Sequence, residues 1–146
     1  MGPPGAATTS GQQVVTLFAI SNGTPLSHTE SDVSGLSTTF VAPIAGRLVI
    51  SYSVLFDNDN YDVNCRIVYV WAVINDTVRL VSSVGNVPAG SWSSVSQTLD
   101  TGITTVANQA VPVKISVKGG TGCDDVYVMG GFPLENSTMT LMLLAI

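Results

Sequence analysis

The stretch that most constrains this chain is GRLVISYSVLF, residues 46–56. Leu48, Ile50, Tyr52, Val54 and Phe56 alternate with Arg47, Ser51 and Ser53. A period of two places the apolar set on one face of an extended strand and the polar set on the other. A helix would scatter the same residues around its axis. One strand of this kind has to be covered by a second apolar layer, so the segment also demands a sheet-on-sheet or closed-sheet partner.

The rest of the chain follows the same logic. Strand patterns are expected at 14–20, 38–43, 78–84, 92–100, 110–118 and 137–146, with a short strand and turn at 126–136, separated by Gly, Pro, Asn and Ser clusters. Residues 24–37 read as polar loop with room for a short strand inside, 57–64 (DNDNYDVN) as an acidic turn, and 101–109 as ambiguous. Pro112 lacks an N–H, so its strand is expected to start late or to lie at an edge. About eight to ten strands with no helical period predict an all-β, antiparallel two-sheet β-sandwich, with jelly-roll and immunoglobulin-like orders both open. Trp71 follows Cys65 by only six residues, which does not fit the immunoglobulin spacing.

Two segments are apolar on both faces. In CRIVYVWAVI (65–74) the row Cys65, Ile67, Tyr69, Trp71, Val73 faces away from Val68, Val70, Ala72 and Ile74. In STMTLMLLAI (137–146) Met139, Leu141, Leu143 and Ala145 oppose Met142, Leu144 and Ile146. An antiparallel sandwich covers one face of each strand, so the second face points to an interface between chains. Val68, Val70, Trp71, Leu141 and Leu143 are therefore expected in the core or at a subunit contact. A strand that runs to the last residue is expected inside a sheet or at an axis.

Charge supports the same view. Charged residues make up 10% of the chain, against about 25% in a typical soluble domain. Such a surface is expected to be covered by other chains or coated with Ser and Thr. The net charge is −5, and the five basic residues form no run, so a nucleic-acid partner is not expected. There is no basic segment leading into an apolar core, hence no expected secretory signal, and no apolar run of membrane-spanning length.

Few residues suggest chemistry. Asp57, Asp59 and Asp62, with interleaved Asn residues, are candidate calcium ligands, and Asp124 and Asp125 are candidates to complete the set from a second loop. The alternative is a solvated hairpin turn, since the EF-hand glycine and distal glutamate are missing. No other cofactor is expected. His28, the sole histidine, reads as a surface-loop residue without a triad around it. Cys65 and Cys123 form no CxxC pair, and without a secretory signal free thiols are the preferred reading over one disulfide. Trp92 is expected in the core and Tyr61 on the surface. The sequons at Asn22, Asn75 and Asn136 carry no weight without secretion. No nucleophile elbow or phosphate loop appears, so an enzyme is not expected.

The stretch TTFVAPIAGRLVISYSVLF, with Phe40, Pro43 and Gly46, resembles the strand–Pro–x–x–Gly–strand signature of tumour-necrosis-factor and complement-type globular heads. The hairpin CRIVYVWAVINDTVRL and the terminal STMTLMLLAI are similar to later elements of that family. One departure is that Gly102 is followed by Ile103 where those heads carry Gly-Asp. The resemblance implies a jelly roll and a homotrimer around a threefold axis. It also gives meaning to the opening MGPPGAATTSG. Two collagen-like triplets are too few for a triple helix, but they suit a stiff extended arm.

The expectation is then an arm over 1–13, with Gly2, Pro3, Pro4 and Gly5 as contact residues, and a jelly-roll domain over 14–146. The expected function is that of a non-enzymatic virion structural protein. It would be a trimeric capsid decoration (cement) or phage head-fibre protein that clamps the major capsid protein or another virion protein without covalent bonds. The alternative is an adhesive head recognising a host glycan or receptor, carried on a collagen-like fibre, a phage tail fibre or a bacterial cell surface.

Overall fold

The structure is a computed structural model and describes residues 13–84, 86–131 and 136–146. The expected arm residues Gly2, Pro3, Pro4 and Gly5 lie outside the described residues. Ten strands follow in chain order: β1 Gln13–Ile20, β2 Thr24–Pro25, β3 Ser31–Val41, β4 Gly46–Asn58, β5 Val68–Ile74, β6 Val78–Val84, β7 Trp92–Thr105, β8 Ala110–Gly119, β9 Val126–Val128 and β10 Thr138–Ala145.

All pairings are antiparallel, and they build two sheets. The first runs β1-β10-β4-β7, with β9 continuing along the β10 side of β4 and β2 beyond it. The second runs β3-β8-β5-β6. Numbered among the eight main strands alone, the orders are 1-8-3-6 and 2-7-4-5. That is the interleaved double Greek key of a jelly roll.

The inner faces follow the period-two pattern. Leu48, Ile50, Tyr52, Val54 and Phe56 of β4 are all buried, beside Met139, Leu141 and Leu143 of β10. Opposite them lie Val68, Val70, Ala72 and Ile74 of β5 and Val111, Val113, Ile115 and Val117 of β8. Trp71 does not join Val68 and Val70. It stands half-buried on the outer face of β5, stacked on Tyr69 with ring centroids 5.8 Å apart. The terminal strand β10 sits between β1 and β4, inside the first sheet.

Several expectations are corrected. Residues 24–37 are not one loop, since they contain β2 and the first part of β3. The pairing of β3 with β8 shifts between Asp32 and Ser37, and Val33 and Leu36, three positions apart, both point into the core. A bulge of this kind erases the alternation that marks a strand. Gly35, at φ +89°, makes it feasible, because a Cβ there would lie 2.4 Å from the Ile20 carbonyl oxygen.

The ambiguous 101–105 continue β7 through a second irregularity, where Asp100 pairs with Val49 but Thr104 pairs with Arg47. The extra residues are stitched by Thr101 Oγ1 donating to the Leu48 carbonyl at 2.7 Å. Pro112 sits in an interior strand, not at an edge. Its carbonyl accepts from Asn75 N on the β5 side, just where β5 has ended, so the missing N–H has no ladder partner to disappoint.

Cys65 and Cys123 form a disulfide, against the preferred free-thiol reading. The acidic turn begins later than expected, because Asp57 and Asn58 still belong to β4. Trp92 is 55% exposed at the start of β7 and is not a core residue.

Candidate functional site

The antiparallel topology gives the sandwich two chemically different ends. The base is where β4 starts at Gly46, paired with Thr105 and Ala145. The apex is where β4 ends at Asn58, paired with Val126 and followed across the sheet by Trp92.

The base is apolar. Val41, Val106 and Ile146 lie there, 58, 65 and 65% exposed. The turn that holds two of them is formed by Ala42 N donating to Gln109 O at 2.9 Å and Asn108 N donating to Ala42 O at 2.6 Å. Strand β1 also starts at this end, since Gln13 pairs with Leu144.

The outer faces of the two sheets differ. On the first, Ser51, Ser53, Ser96, Thr98, Thr138 and Thr140 line a shallow groove of about 290 Å³. Ser96 Oγ donates to Ser53 Oγ at 2.9 Å and Thr98 Oγ1 to Ser51 Oγ at 3.0 Å. This is the hydroxyl coat that lets a sheet face water with few charges. On the second, the Tyr69–Trp71 stack and Val73 are half-buried, flanked by Lys114 and Lys118 of β8.

The apex is built from three segments laced together. Asn58 is buried, and its amide donates to Val63 O at 3.0 Å and Val87 O at 3.1 Å. Its Oδ1 accepts from Asn60 N at 3.0 Å. Asn60 in turn reaches Asp125 Oδ2 at 3.0 Å, and Asp59 N donates to Asp125 O at 3.0 Å. Cys65 exchanges two backbone hydrogen bonds with Val87 while its sulfur holds Cys123. The Asn residues of DNDNYDVN therefore serve as internal caps of the loop, which satisfies its backbone without regular structure.

On this scaffold stand three aromatic rings. Tyr61 is 81% exposed, as expected, and lies against the bare Cα of Gly90. Trp92 and Tyr127 flank Asp57 from opposite sides, each its direct cross-strand partner, on β7 and β9 respectively. Sequence reasoning missed Tyr127, because nothing in the VYV of β9 signals which strand it pairs with.

Beside them is a cavity of about 310 Å³ lined by Thr24, Pro25, Asp57, Asp59, Tyr127 and Met129, among others. Burial pushes the Asp57 carboxyl above its ordinary value, and the charge and hydrogen bond of the adjacent Asp59 add to this. The Trp92 indole across the strand pair works in the opposite direction. Asp62 does not line this cavity. Among the described residues no three His, Cys, Asp or Glu side chains are grouped so as to hold a metal ion. Asp125 is engaged by Asn60, and Asp124 lies 2.5 Å from His28 Nε2. That contact raises the His28 pKa, while the neighbouring Ser27 hydroxyl bonds with Thr29 instead.

Fold and site together define a jelly-roll β-sandwich with an apolar base and a braced, acidic, aromatic-bearing apex. No protein-family model and no curated protein matches the chain. Among solved structures it is similar to one described as "Bacillus endospore appendages form a novel family of disulfide-linked pili", at 13% identity and a TM-score of 0.48, covering 96% of each chain. It is also similar to a chain in the structure of infectious bursal disease virus Gx strain, at 11% identity and a TM-score of 0.49, covering 94% of this chain and 37% of that one.

Proposed function

We propose that the protein is a non-enzymatic structural subunit that works inside a multichain assembly. In the specific form we favour, it is a homotrimeric jelly-roll head that decorates a virion capsid, as a cement or head-fibre protein, and holds on by non-covalent clamping. The observation that carries this is the base, where Val41, Val106 and Ile146 stand exposed at the end where β1 starts. Exposed apolar groups gathered at one pole favour burial against another chain. The half-buried Tyr69–Trp71 face of the second sheet is a further contact surface of the same kind. An arm containing Gly2, Pro3, Pro4 and Gly5 would extend the contact across neighbouring capsid subunits and raise avidity through multivalency.

The test is mass in solution, by light scattering or sedimentation. A trimer supports the reading, and a monomer at high protein concentration overturns it. Deletion of residues 2–11 should weaken attachment to undecorated capsids, and full affinity without them would remove the arm from the mechanism.

A second reading has its own support. Tyr61 on the apex loop, Trp92 at the start of β7 and Tyr127 on β9 are exposed at the far pole, which favours a recognition head for a host glycan or receptor. Binding of the isolated protein to host cells or to a glycan array separates this from a purely structural role.

A further inference from the structure

The apex cavity has a composition that narrows what it can hold. Its walls are mostly apolar, from Pro25, Val128, Met129 and the Tyr127 ring, and its two charged groups are the carboxylates of Asp57 and Asp59. Among the described residues no basic side chain lines it. The volume, about 310 Å³, lies at the small end of the range for ligand pockets.

Asp57, near the end of β4, and Asp59, just beyond it, both line the cavity and act on each other. They repel when both are ionised, and partial burial of Asp57 sharpens the effect. A neutral ligand leaves that repulsion in place. A hard metal ion needs six to eight oxygen donors, and Pro25, Met129 and Tyr127 supply apolar surface where those oxygens should be. A cation on an apolar stem meets both demands. Its head neutralises the carboxylate pair, and its stem covers the Pro25, Met129 and Tyr127 surface. The Trp92 and Tyr127 rings flanking Asp57 add electron-rich faces at the rim.

We propose that this cavity is a binding site for an organic cation with an apolar stem, an alkylammonium or alkylguanidinium. Two sources share that chemistry, a lysine or arginine side chain of a partner protein and a free small amine. The site does not depend on the assembly proposed for the base.

The test uses the whole protein and its Trp92 indole N–H resonance, which reports on Asp57 directly. Four probes are titrated: n-butylammonium chloride, n-butanol, sodium butyrate, and an end-blocked Gly-Lys-Gly peptide. The expected result is a saturable shift with n-butylammonium, and binding about tenfold weaker or worse for n-butanol and butyrate, since a hydrogen bond to a charged group is lost. Saturation by the peptide as well assigns the site to a protein side chain, and saturation by n-butylammonium alone assigns it to a free amine.

The variant Asp57→Asn/Asp59→Asn should lose the n-butylammonium response. If that variant does not fold, the four-probe series on the unaltered protein decides. The proposal is overturned if n-butanol binds as tightly as n-butylammonium, if neither cation produces a saturable shift, or if the folded double variant still binds the amine unchanged.

Discussion

Trp92 stands directly across the β4–β7 pair from Asp57, and its indole holds the Asp57 pKa down against burial. The pairing keeps a large aromatic side chain 55% exposed at the surface. It also joins the opening residue of β7 to the closing residues of β4, and so fixes the rim of the apex cavity.

Trp92→Phe should remove the indole's influence and let the Asp57 pKa rise further above 3.8, its ordinary value. Because Asp57 is largely solvated, the loss of stability should be under about 1 kcal/mol. The sign for the native protein follows from the raised pKa. The folded state holds the Asp57 proton more tightly than the unfolded chain, so this contribution is present below the ordinary carboxyl pKa. It is lost as pH rises through the folded value. Asp57→Asn should flatten that part of the stability profile, as measured by denaturant midpoints between acid and neutral pH. An unchanged profile would place the titrating group elsewhere.

The pair of His28 and Asp124 should give a pH step of the opposite chemical origin. Its hydrogen bond raises the His28 pKa above 6.5, against a smaller desolvation effect. The stabilisation is therefore complete below the ordinary histidine pKa and disappears as pH rises through the raised one. Amide exchange at 120–125 should quicken across that window, and His28→Asn should abolish the pH step. Exchange that is flat across it would show that the pair does not hold the loop.

Reduction of Cys65–Cys123 should destabilise the domain by roughly 2–4 kcal/mol, because the crosslink closes a long loop in the unfolded chain. Thermal melts with and without reductant measure it. The double variant Cys65→Ser/Cys123→Ser should match the reduced protein, and equal melting in all three would rule out a stabilising role.

Leu141 and Val106 should separate folding from assembly. Leu141 is fully buried within one chain. Leu141→Ala should cost about 2–5 kcal/mol, and Leu141→Asp should prevent folding, because it buries an unpaired charge. Val106→Asp places a charge at an exposed position of the base. It should leave the single-chain melt nearly unchanged and convert the assembly to monomers. Retained oligomers in that variant would move the contact away from the base.

Calcium at millimolar concentration should leave the melting temperature unchanged, since Asp62 does not line the cavity that holds Asp57 and Asp59. A melting temperature that rises with calcium and falls with chelator would restore the three-carboxylate site.

The residues of 46–56 carried most of the fold by themselves. Their alternation was set by side-chain hydrophobicity at a period that only a half-buried strand satisfies, and the two doubly apolar strands were legible on the same ground. What stayed hidden is long-range. The bulges at 32–37 and 100–104 interrupt the period, so the first part of β3 looked like loop and the end of β7 stayed ambiguous. The choice between the two apolar faces of β5 depends on which neighbour arrives, and β8 and β6 put Val68 and Val70 inside and Trp71 outside. The disulfide needed Cys65 and Cys123 to meet across 58 positions, which the local sequence does not encode.

The candidate site divides along the same line. Local chemistry alone marked the acidic, Asn-rich segment, because a run of Asp and Asn breaks the apolar alternation that precedes it, although Asp57 and Asn58 still belong to β4. That Asp57 would stand between Trp92 and Tyr127, over a cavity with apolar walls, was decided only when β7 and β9 closed on either side of β4. Hydrophobic periodicity is a property of neighbours in sequence. A binding site is a property of neighbours in space, and in an antiparallel sandwich those come from strands far apart in the chain.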